Sequence, residues 1–165
     1  MGINIAGASD LPAGSSVGDK TGLVAGVGTV FDVTAQVHFA PEVLFQMQGF
    51  TSGPVSVSAN YLNVPLLFRY HFAATGDAGM RPYITAGPNI ALKLSCSVSG
   101  FPGATCPAGT KSVDFGLMFG GGIEWNAGTN TFGVGLRYQM GLTDVVDGQQ
   151  GKNKAIQIFG TWKIK

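Results

Sequence analysis

A chain of 165 residues with a net charge of +1 forms one domain, residues 1–165, and neither a basic cluster nor a charge excess points to nucleic acid. Only 12% of its residues are charged while 45% are hydrophobic, about half the charge of an ordinary soluble domain. No run of about 18 apolar residues could cross a bilayer as a helix, and low charge without such a run suits a β-barrel, whose apolar residues are diluted by alternation.

The start, MGINIAGASD, has neither a charged leader region nor an apolar one, and reads as a mature chain after removal of an export signal. Eight alternating segments follow. Gly2 to Ser9 turns Ile3 and Ile5 to one face. Thr21 to Phe31 sets Leu23, Ala25, Val27 and Phe31 against Gly22, Val24, Gly26 and Gly28. Gln36 to Phe50 sets Val37, Phe39, Val43, Phe45 and Met47 against His38, Glu42, Gln46 and Gln48. Asn60 to Phe72 carries the pattern most clearly: Leu62, Val64, Leu66, Phe68, Tyr70 and Phe72 oppose Tyr61, Asn63, Leu67, Arg69 and His71. Arg81 to Ser95, Asp114 to Trp125, Thr131 to Leu142 and Lys154 to Lys165 repeat it. Pro41, Pro65 and Pro88 fit paired strands poorly, and bulges are the account of them.

None of the eight apolar faces carries a charge. That sign of alternation, polar inside and apolar outside, is what a bilayer enforces, and it is the reverse of a soluble lipocalin-type barrel. A strand that crosses needs about 9–11 residues, and a lone hairpin cannot hide its backbone from lipid, so the eight segments must close. The fold expected is all-β: an eight-stranded antiparallel up-and-down transmembrane barrel. Short connections after strands two, four and six would be periplasmic turns. Long ones after strands one, three, five and seven would be extracellular loops, leaving both termini periplasmic in a bacterial outer membrane. Phe31, Phe39, Tyr70, Phe72, Trp125, Phe132 and Trp162 all lie near the short-turn ends and would form a periplasmic aromatic girdle.

Four inward charges, Glu42, Arg69, Glu124 and Arg137, must pair inside a lumen that eight strands leave only wide enough for side chains. They read as a polar plug, with Glu42 and Arg69 as neighbours, while Lys93, Asp114 and Lys163 lie nearer the ends and are solvated. His38 and His71 face inward together. A two-histidine metal site with Glu42 is weighed and set aside for histidines that hydrogen-bond in the lumen, so no metal and no cofactor is expected. Gly120 to Gly122 and Gly133 to Gly135 lie within strands and serve bends and close interior packing rather than a nucleotide. Cys96 and Cys106 bracket SVSGFPGAT inside the longest outer loop, Cys96 to Val113, and read as a disulfide.

The blocks GINIAGAS, TGLVAGVGTVF, PEVLFQMQG, NYLNVPLLFRYHF, RPYITAGPNIAL, DFGLMFGGGIEW and LRYQMGLTDV resemble the small outer-membrane β-barrel family called PorT-like, over nearly the whole chain. The resemblance implies an eight-stranded outer-membrane barrel of Gram-negative bacteria. Together these observations give a non-enzymatic barrel with a plugged interior. It would act as a structural or interaction protein, with a place as accessory subunit of a larger outer-membrane assembly. The alternative is a narrow channel for ions or small solutes. A lipid-directed enzyme ranks lowest, because no nucleophile and base stand together. The partners expected are outer-membrane lipid and lipopolysaccharide and other outer-membrane proteins.

Overall fold

The computed structural model describes residues 1–9, 18–52, 55–74, 79–100, 112–146 and 149–164. Its strands are β1 (Gly2–Ser9), β2 (Gly18–Gly28), β3 (Phe31–Asp32), β4 (Val37–Ser52), β5 (Val55–His71), β6 (Arg81–Ser99), β7 (Val113–Ala127), β8 (Asn130–Val146) and β9 (Gln149–Ile164). Each pairs antiparallel with its neighbours, and β1 lies between β2 and β9, closing the sheet. β2 and β3 are one staff of the barrel, both paired to β4 and interrupted at Thr29 and Val30, where the Thr29 N–H still donates to the Pro41 carbonyl at 3.1 Å. The barrel therefore has eight strands. Closure satisfies the backbone without an open edge, which lipid demands.

The alternation runs as the sequence dictates. Leu23, Phe45, Phe68, Ile84, Phe119, Leu136 and Ile158 are exposed on the wall, whereas Val24, Gln46, Asn63, Leu67, Tyr83, Met118, Arg137 and Gln157 are buried in the lumen. The prolines do not make bulges. Pairing lapses between Pro41 and Leu44 and again between Pro65 and Phe68, yet the register on either side is unchanged. A missing N–H removes a ladder bond without adding a residue. The register shift on β6 comes instead at Leu94, which is left over as Asn60 pairs Ser95 and Tyr61 pairs Lys93.

The expected alternation of short turns and long loops needs correction. Strands β4 and β5 continue to Ser52 and from Val55, and β8 and β9 continue to Val146 and from Gln149. Two of the four long connections are thus mostly strand, because segments such as Val55–Asn60 keep a period of two and find ladder partners beyond the apolar band. On the opposite end, β3 and β4 are joined by residues 33–36, and Gly128, at φ +67°, turns β7 into β8. The connection between β5 and β6, residues 72–80, is the longest at that end. Both termini lie there too, since β1 starts and β9 finishes beside these turns.

Candidate functional site

The lumen is filled in layers. At the turn end, β4, β5, β7 and β8 point Glu42, Arg69, Glu124 and Arg137 at one another. Arg137 grips Glu42 with both terminal nitrogens, Nη1 to Oε2 at 2.6 Å and Nη2 to Oε1 at 2.7 Å. Arg69 donates a short hydrogen bond to Glu124 and stands 3.8 Å from Glu42. The neighbour expected for Arg69, Glu42, is therefore its weaker partner. Strand tilt brings the guanidinium to a carboxylate across the lumen, a relation that spacing along one hairpin does not contain.

The two histidines extend this network toward the mouth. His71 Nε2 lies 3.1 Å from the second Glu124 oxygen, His38 Nδ1 lies 2.7 Å from Asp32, and the two rings meet edge to face at 4.7 Å. They are the hydrogen-bonded lumen histidines of the sequence reading, and Glu42 does not join them. Among the described residues no three His, Cys, Asp or Glu side chains come together as a metal site.

Each guanidinium also lies on an aromatic face that sequence reasoning passed over. Arg69 Cζ is 4.3 Å from the Tyr83 ring centroid, and Arg137 Cζ is 4.1 Å from that of Phe159. A desolvated cation on a ring contributes about 2 kcal/mol. Inward glycines on the adjacent strands make room for these rings: a Cβ on Gly122 would stand 2.7 Å from Tyr83 Oη, and one on Gly135 would stand 2.5 Å from Phe159 Cζ. The glycine runs of β7 and β8 are the signal that could have pointed to large aromatics opposite.

Beside the charges lies an apolar cluster of Ala40, Leu67 and Met118, with Ala40 one inward step to the turn side of Glu42 on β4 and Leu67 and Met118 at 0% exposure. Further from the turn end, amides interlock. Asn63 donates to Gln46 at 2.8 Å and accepts from Asn89 at 2.9 Å. Near the far end Asp114 is buried rather than solvated, because Asn153 donates to it at 2.8 Å and Thr143 donates a short hydrogen bond. Lys93 is half-buried on β6, and Lys163 lines an open cavity of about 440 Å³ at the turn end, together with Asp32, His38, Arg69 and Glu124.

The aromatic residues of the expected girdle cluster at that same end. Phe31 stacks on Phe39 at 6.4 Å, Tyr70 meets Phe72 at 5.1 Å and Trp125 stacks on Phe132 at 6.4 Å. Trp162, exposed on the wall, donates from Nε1 to Asn130 at 3.1 Å. Cys96 sits on β6 opposite Ala59, and Cys106, its partner in the disulfide expectation, lies outside the described residues.

A family model described as outer membrane protein beta-barrel domain matches residues 1–147. No curated protein matches the chain by sequence. Among solved structures the chain is similar to the outer-membrane enzyme PagL, with a TM-score of 0.51 and 15% identity over 96% of each chain. At that identity the likeness shows the fold. It also corrects the expectation that the chain is not an enzyme, which rested on the want of a nucleophile and base together: the same frame is that of an enzyme.

The Glu42–Arg137 pair gives a direct test. Arg137→Ala leaves a carboxylate in the lumen with only the longer contact to Arg69, and should cost about 3 kcal/mol. Urea unfolding in lipid vesicles measures this, and a loss below about 0.5 kcal/mol, the value of an exposed pair, would contradict the pairing.

Proposed function

Because the chain belongs to the outer membrane protein β-barrel domain family, we propose that it is a sealed barrel that acts through its wall and outer rim as a structural and interaction protein, an accessory subunit of a larger outer-membrane assembly. The observation that carries this reading is the stack inside the lumen. The paired charges line open cavities of about 440 and 820 Å³, and further from the turn end Leu67, Met118 and the Gln46–Asn63–Asn89 amides are fully buried. A narrow channel would have to part these buried side chains. In this reading the termini and the aromatic cluster face the periplasm and the strand extensions project outside. The partners are outer-leaflet lipid and lipopolysaccharide along the wall, and another outer-membrane protein.

Cys96 and Cys106, in the same reading, are joined as a disulfide that restrains the connection from β6 to β7. Peptide mapping checks it: the two cysteine peptides should stay linked until a reductant is added, and free thiols in the mature protein would refute it. The accessory role is tested by native mass after gentle detergent extraction from the organism's own outer membrane. A defined larger assembly is the expected result. A single barrel with its micelle would contradict it.

A further inference from the structure

The direction of the alternation reverses where the strands leave the apolar band. Along β5 the outward positions read Leu66, Val64, Leu62 and then Asn60, Ser58, Ser56, while the inward ones change from Asn63 and Tyr61 to Ala59 and Val57. On β6, Leu92 faces outward beside Leu62, and past the leftover Leu94 the outward residues are Ser95, Ser97 and Ser99, opposite Asn60, Ser58 and Ser56. Asn60 donates to Ser95 at 2.9 Å across this face. A hydroxyl-rich sheet face thus sits directly above an apolar one, on the same outer surface.

Lys20 is turned onto that face. The register of β2 against β4 shifts by one residue between Asp19 and Val24, and such irregularities re-aim side chains. The Lys20 chain crosses Gly49, where a Cβ would come within 2.9 Å of its Cδ, and Gly49 continues the outward row of Phe45 and Met47. Its ammonium donates to Ser58 Oγ at 2.6 Å and Ser56 Oγ at 2.9 Å. Among the described residues no carboxylate forms an ion pair with Lys20. Both serine oxygens accept from the lysine, so their own hydrogens point onward, and the ammonium keeps a third donor.

We propose that Lys20, Ser56 and Ser58 form a site for the phosphorylated sugar headgroup of an outer-leaflet glycolipid. A positive charge with convergent hydroxyl donors suits a phosphate monoester, and the neighbouring serines and Asn60 suit the hydroxyls of a sugar. What selects a lipid over a free phosphate is continuity: the acyl chains of such a molecule would lie against Phe45, Met47, Leu62 and Leu92, immediately below the site. The proposal rests on the reading that the strand extensions are extracellular.

The test is native mass spectrometry of the full chain in detergent, titrated with bisphosphorylated lipid A, with its fully dephosphorylated form and with inorganic phosphate. The chain should hold bisphosphorylated lipid A, and Lys20→Ala should weaken it about tenfold, the loss of one charge-assisted contact. The dephosphorylated lipid should bind the native chain as weakly as lipid A binds the variant. A Lys20→Ala chain that holds lipid A as well as the native one, or a native chain indifferent to the phosphates, overturns the site. Inorganic phosphate bound as tightly as the lipid would make it a free-anion site and overturn the lipid assignment. Unchanged gel mobility before boiling shows that Lys20→Ala still folds. An epitope inserted between β6 and β7 and detected on intact cells tests the orientation separately.

Discussion

The bidentate contact between Arg137 and Glu42 is the interaction on which the rest of the interior depends, because Arg137 is buried and a guanidinium taken out of bulk water needs a carboxylate. Once that pair is in place, Arg69 must find its own carboxylate and does so at Glu124, leaving the second Glu124 oxygen to His71. The rings of Tyr83 and Phe159 then fill the flat faces of the two cations, and the glycines opposite exist so that those rings fit. Removing one member would leave a charge without a partner, which costs far more than the pair contributes.

The wall obeys a different constraint. Every backbone donor and acceptor that meets lipid has to be paired within the sheet, so the chain closes on itself through β1, and every outward side chain in the band has to be apolar. Where the strands leave the band the same backbone pairing continues but the side-chain rule is inverted, as Asn60 and Ser95 show.

Strand existence, facing and closure were legible in the chain because a period of two, with every charge on one side, survives eight times over 165 residues. The ends of the strands were not. Val55–Asn60 alternates too, but with serine on the outside, and a reading that tracks apolar outward faces takes it for a loop. Inside the lumen, the four charges and two histidines were visible as inward residues, yet their partners were not. Arg137 lies 95 residues from Glu42, and which acid meets which arginine depends on the tilt of the strands rather than on spacing. Tyr83 and Phe159 went unassigned for the same reason. The PorT-like resemblance and the outer-membrane barrel family agree on the architecture, and the likeness to an outer-membrane enzyme shows how little architecture says about catalysis.

Ion flux tests most directly whether the paired charges and the buried side chains beyond them, Leu67, Met118, Gln46, Asn63 and Asn89, shut the lumen. The measurement is current through planar bilayers containing the purified native chain, over a range of applied voltages. A sealed barrel gives no steady conductance at any of them. Discrete, reproducible open steps from the native chain would contradict the plug and make the interior an ion path.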